Sequence, residues 1–144
     1  MIIAYTHANM AVRRKKAKIL VADSEKNTRE AVVEIFSEAG YDTSSASSGS
    51  ETIEHLTRDT FDLIFCDIDM PRTSGSEIVR MARALNQKAR IVVLSSSGDA
   101  SLRSRMKKEG AYDLLVKPLR KARLLKVAKE ALARPPSRKK VGVS

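Results

Sequence analysis

Apolar residues fall along this chain at two periods. Short runs are each cut off by a polar or charged residue: Ile19-Leu20-Val21-Ala22 at Asp23, Leu63-Ile64-Phe65-Cys66 at Asp67, Ile91-Val92-Val93-Leu94 at Ser95, and Leu114-Leu115-Val116 at Lys117. Runs of this length bounded by turn chemistry read as strands buried on both faces. They predict strands over 18–22, 61–66, 90–94 and 112–116, with a weaker, more polar edge strand over 41–46. Between them the spacing turns helical. Val32, Ile35, Phe36 and Ala39 form one stripe, Ile53 and Leu56 a second, Ile78, Met81, Ala82 and Leu85 a third, and Leu124, Leu125, Ala128 and Leu132 a fourth. Ser24, Ser50 and Asp99 read as helix starts, Gly40 and Gly110 as stops, and Pro135-Pro136 as the end of the last helix. Five strand–helix units within 17–133 make a three-layer, doubly wound α/β domain with a five-stranded parallel sheet. Spacing alone leaves the two common strand orders open.

Parallel strands present their carboxyl ends on one edge, where open α/β sheets bind ligands. Asp23, Asp67, Ser95 and Lys117 would meet there, with Asp69 two residues past Asp67 and Pro71 forbidding further strand pairing. Carboxylates hold Mg²⁺, while a lysine and a hydroxyl hold phosphate oxygens, so the set suits a divalent cation and a phosphoryl group.

Charge changes this picture only at the ends. The formal net charge is +10, yet residues 1–16 and 134–144 each carry four basic groups and no acid. Residues 17–133 hold 19 basic and 17 acidic groups, and within them 99–133 has ten basic against four acidic. The two ends read as disordered basic tails flanking one domain at 17–133, and any binding of nucleic acid through them as non-specific. The 11 residues after Ala133 are too few for a helix-turn-helix, so the reading is a stand-alone domain or a piece of a longer protein. The apolar runs are too short to span a membrane, and the single cysteine, Cys66, excludes an internal disulfide and fits a cytoplasmic location. Cys66 reads as a small buried hydrophobe. His7 and His55 share no metal-ligand spacing.

Taken in order at strand ends, Ile-Leu-Val-Ala-Asp, Asp-Leu-Ile-Phe-Cys-Asp-Ile-Asp-Met-Pro and Leu-Val-Lys-Pro resemble the receiver domain of bacterial two-component response regulators, of the stand-alone chemotaxis-regulator kind. The resemblance covers 17–133 and implies the flavodoxin-like order 2-1-3-4-5, for which a member of this family is a standing example. It implies Asp67 as phospho-acceptor, Asp23 as Mg²⁺ ligand, Ser95 as switch hydroxyl, Lys117 as partner of the acyl phosphate, and a cis Lys117-Pro118 bond. It further implies a sensor histidine kinase or phosphotransfer protein as donor and a downstream protein on the face around 95–129, in a phosphorylation switch rather than an enzyme. Three positions depart from the family pattern. Ser24 stands where a second acid is usual. Asp69 offers its backbone carbonyl as the expected metal ligand and adds an extra carboxylate near the site mouth, making Asp23, Asp67 and Asp69 the expected metal set. Leu114 stands at an aromatic position, with Tyr112 expected on the same side of the strand.

Two alternatives follow from the same residues. Ser24 and Leu114 suit a degenerate receiver that works without phosphate. Asp67-Ile68-Asp69 also resembles the nucleophile motif of haloacid-dehalogenase-type phosphatases, although that motif normally opens its fold and here sits on the third strand.

Overall fold

The computed structural model describes residues 16–85 and 88–133. The tails expected at 1–16 and 134–144 lie, except for Lys16, outside the described residues. The described chain alternates β1 (Lys18–Ala22), α1 (Lys26–Glu38), β2 (Asp42–Ala46), α2 (Gly49–Arg58), β3 (Leu63–Asp67), α3 (Gly75–Ala84), β4 (Arg90–Ser95), α4 (Ala100–Lys108), β5 (Asp113–Val116) and α5 (Lys121–Ala133). The strands form one parallel sheet in the order β2-β1-β3-β4-β5, the flavodoxin-like order.

Alternation along each strand sorts the core into two layers. Leu20, Ala22, Ile64, Cys66, Ile91, Val93 and Leu114 face α2, α3 and α4, where Leu56, Ile78, Ala82 and Met106 cover them. Ile19, Val21, Leu63, Phe65, Val92, Leu94 and Leu115 face α1 and α5, under Val32, Phe36, Leu124, Val127 and Ala128. The middle strand β3 is buried at every position, which is why it reads as an unbroken apolar run. Strand β2 is the polar edge strand, with only Ala46 buried.

Local chemistry sets the boundaries, not always where the pattern placed them. Ser48, not Ser50, caps α2, its side chain accepting from the Glu51 N–H at 3.1 Å. Ser24 caps nothing: the Glu25 N–H is taken by Asp23 Oδ1 at 2.9 Å, and α1 begins after Glu25 with no side-chain cap. Ser74 and Glu77 close a capping box on α3. Gly40 and Gly110 end α1 and α4 at φ 97° and 117°, where a side chain would be strained. On α3 the buried stripe is Ile78, Val79 and Ala82, and Met81 is exposed. On α5 it is Leu124, Val127, Ala128 and Ala131, with Leu125 and Leu132 only half-buried.

Tyr112 departs from the sequence reading. It lies in a bend before β5, where strand alternation has not begun, and packs on the α1/α5 layer beneath Arg90 (4.8 Å to its ring centroid). Leu114 is buried in the opposite layer, so the two do not share a side.

Candidate functional site

The parallel register brings the ends of β1, β3, β4 and β5 to one edge of the sheet. Asp23 follows the last residue of β1 and its N–H bonds the Ala46 carbonyl at 3.1 Å, extending that strand's pairing. Asp67 closes β3 opposite Leu94, and Ser95 is the next residue on β4. Lys117 follows β5, its N–H donating to the Ser95 carbonyl at 2.8 Å, and the Lys117-Pro118 bond is cis. Asp23, Asp67 and Ser95 are buried, while Lys117 is half-buried.

Lys117 joins the two acids. Its ammonium lies 2.9 Å from Asp23 Oδ2 and 3.5 Å from Asp67 Oδ2. The other Asp67 oxygen, Oδ1, accepts from the Asp69 N–H at 2.9 Å. The Ser95 hydroxyl accepts from the Ser97 N–H at 2.9 Å, so it is engaged by its own loop. Two carboxylates thus face one ammonium at the edge of the sheet.

The electrostatics carry that imbalance. Burial pushes the Asp67 carboxyl above its ordinary value; the Asp69 N–H pulls it back, Asp23 pushes it further up, and Lys117 pulls it down. For Lys117, burial works against the charge, but the two carboxylates outweigh it and raise its pKa. The Cys66 thiol is pushed up to about 12, mainly by burial and then by Asp67 and Asp23, so it stays an inert thiol.

These groups fit a small hard cation in part. Asp23 Oδ2 is buried and, although the Lys117 ammonium is close, no hydrogen bond of good geometry reaches it. An orphaned carboxylate oxygen beside a second carboxylate of raised pKa is the arrangement a divalent cation relieves. Among the described residues no group of three carboxylate, imidazole or thiolate side chains is gathered to hold a metal. Asp69 contributes its backbone N–H to Asp67, and its side chain is exposed. Ser24 is exposed as well.

Sequence reasoning passed over two groups near this edge. Arg29, on the first turn of α1, donates to the Asp23 carbonyl at 2.9 Å. Its spacing from Asp23 on a helix start was the available signal. A groove of about 530 Å³ between α1 and α5, lined in part by Glu25, Thr28, Ile35, Lys117 and Leu119, opens beside the site. No periodicity on a single helix encodes a groove between two.

The response regulator receiver domain model matches residues 19–129. The chain belongs to the response regulator receiver domain family. It is a receiver domain of two-component signalling, and its relatives agree. It is 27% identical over 101 residues to the sporulation initiation phosphotransferase F of Bacillus subtilis, covering 70% of this chain and 82% of that one. It is 34% identical over 117 residues to the transcriptional regulatory protein CusR of Escherichia coli K12, covering 81% of this chain but 52% of CusR. The chain thus spans about half the length of that regulator. Among solved structures, the receiver domain of the Francisella response regulator 1452 superposes with a TM-score of 0.78 at 27% identity, covering 83% of this chain and 98% of that one. The chemotaxis response regulator CheY4 of Vibrio cholerae gives 0.77 at 29% identity, covering 82% and 100%.

Proposed function

We propose that this receiver accepts a phosphoryl group on Asp67 and uses it to switch a partner-binding face. The observation that carries the reading is the Lys117 ammonium spanning Asp23 and Asp67 at the end of the central strand. A carboxylate is a weak nucleophile toward a phosphoanion because like charges repel. Asp67 is held for attack by the Asp69 N–H on one oxygen and by Lys117 on the other. One carboxylate oxygen forms the bond to phosphorus, and the bond from phosphorus to the donor's histidine nitrogen or acyl oxygen breaks, its electron pair leaving with the donor. Lys117 holds charge that builds on the transferring group. Ser95 would leave the Ser97 N–H and donate to a phosphoryl oxygen, drawing its loop inward. Asp23 and Asp67 would hold Mg²⁺, with backbone carbonyls and water completing the set. Bound there, Mg²⁺ supplies the positive charge that one ammonium against two carboxylates lacks.

The donor in this reading is a sensor histidine kinase or phosphotransfer protein, approaching over the groove beside Lys117. The output is a downstream protein on the face around 95–129. Among the described residues no helix is long and apolar enough to cross a membrane, in keeping with work in the cytoplasm beside a kinase. The experiment is intact-mass measurement after acetyl phosphate and Mg²⁺. Wild type is expected to gain one phosphoryl group and Asp67→Asn none. Unchanged wild-type mass across a range of Mg²⁺ concentrations would favour the degenerate receiver. Turnover of a generic phosphomonoester would favour the phosphatase reading.

A further inference from the structure

Asp23 is held at three of its four polar atoms. Its N–H bonds the Ala46 carbonyl at 3.1 Å, which ties it to β2. Its Oδ1 accepts from the Glu25 N–H at 2.9 Å, which ties it to the approach to α1. Its carbonyl, one residue past the end of β1, accepts from Arg29 Nη1 at 2.9 Å. The fourth atom, Oδ2, is buried and faces the Lys117 ammonium at 2.9 Å with no hydrogen bond of good geometry. A buried residue's carbonyl needs a donor. Here the donor is a charged side chain from the first turn of a helix.

Arg29 also bears on the next helix. Glu51, in the first turn of α2, accepts from the Ser47 N–H at 2.6 Å and from the Ser47 hydroxyl at 2.9 Å. Those two bonds, and then the Arg29 charge, hold its carboxyl below the ordinary value. The loop that Glu51 pins follows Ala46, whose carbonyl takes the Asp23 N–H. Arg29 and Glu51 thus brace Asp23 from its carbonyl and its N–H sides.

We propose that Arg29 is a positioning residue for the cation site: by holding the Asp23 carbonyl it sets the direction of Oδ2, the oxygen left for the cation. This rests on the reading above that Asp23 holds Mg²⁺. Charge and aim pull in opposite directions here. A guanidinium near the site repels a cation, while the bond it donates keeps the ligand in place. Removing the arginine therefore tightens Mg²⁺ if only charge acts and weakens it if aim dominates. Aim dominates in this chain because the residue next to Asp23 is Ser24, so no adjacent carboxylate takes over when Oδ2 wanders.

The test is isothermal titration calorimetry of Mg²⁺ into the full unphosphorylated chain, comparing wild type, Arg29→Gln, Asp23→Asn and the double variant. Arg29→Gln is expected to weaken Mg²⁺ binding about tenfold, the scale on which loss of a metal ligand's own partner acts. Arg29→Lys is expected to recover part of that, since an ammonium keeps a donor. In the Asp23→Asn background Arg29→Gln is expected to change affinity little, because the ligand it aims is gone. Thermal melts without Mg²⁺ check that each variant folds; should Arg29→Gln not fold, Arg29→Lys runs the same cycle with a smaller expected loss. Tighter or unchanged binding by a folded Arg29→Gln would overturn the proposal. So would an equal loss with and without the Asp23 carboxylate, which is what a merely structural role gives. Undiminished binding by Asp23→Asn would instead overturn the reading that Asp23 holds Mg²⁺, and the proposal with it. No phosphoryl donor is present, so these outcomes are separate from whether Asp67 is modified.

Discussion

Asp67 is the residue on which the chemistry and the stability of this domain disagree. It is 3% exposed and shares its pocket with Asp23, and burial first, then that neighbour, raises its pKa above the ordinary 3.8. A carboxyl raised in the folded state is more easily protonated there than in the unfolded chain. Its ionisation therefore costs stability at neutral pH, and the cost fades as pH falls through the raised value toward 3.8. Asp67→Asn is accordingly expected to be more stable than wild type at pH 7, with the gap narrowing as pH drops. Thermal melts of both proteins from neutral to acid pH check this; a gap that widens on acidification would reverse the assignment. The metal set follows the same residues. Asp23→Asn is expected to weaken Mg²⁺ binding more than Asp69→Asn, because the Asp69 side chain is exposed and its N–H, which both forms keep, is what reaches the acceptor. Ser24→Asp is expected to tighten Mg²⁺ by adding a charge at the site's mouth. A titration in which Asp69→Asn loses as much affinity as Asp23→Asn would return Asp69 to the metal set. The sequence placed Asp23, Asp67, Ser95 and Lys117 at one edge because strand ends are legible from where apolar runs stop. The exposure of Asp69 was not legible there, because the direction of a loop side chain depends on where its backbone N–H is spent.

At the scale of elements, the loop after β3 is held from two sides by residues without side chains. A Cβ on Gly49, at the start of α2, would lie 2.1 Å from Thr73 Oγ1, and one on Gly75, at the start of α3, 2.6 Å from Ile68 Cγ2. That loop carries the Asp69 N–H that orients the acceptor. Gly49→Ala is expected to cost about 1–3 kcal/mol by overpacking, and Thr73→Gly in the same chain to recover most of it, both read by chemical denaturation. Equal stability of wild type and Gly49→Ala would mean that the loop moves aside freely. Nothing in the sequence marked this contact, since Ser47-Ser48-Gly49-Ser50 reads as an ordinary turn. Helix stripes were legible only to within two positions. Met81 and Val79 exchange places between the pattern and the fold, because α3 turns Val79, not Met81, toward the sheet. The sheet order was not in the spacing at all. It came from the resemblance carried by the strand-end motifs, and the structure has it.

For the whole molecule, charge and chemistry separate. The net charge of +10 falls mostly on 1–16 and 134–144, and removing both stretches leaves a formal +2. Heparin retention at low salt is expected to drop sharply on that truncation and to vanish for both forms as salt rises. Strong retention by the trimmed domain would move the polyanion-binding surface onto α4, β5 and α5. The switching function is confined much more tightly. Of the chain's 17 acidic residues, one is expected to carry the signal. The most direct measurement treats the full chain with acetyl phosphate and Mg²⁺, traps the acyl phosphate by borohydride reduction, and maps the reduced position by peptide mass spectrometry. The account expects reduction at Asp67 alone. Reduction at Asp69 or Asp23, or at no residue while a control receiver is labelled, would contradict it.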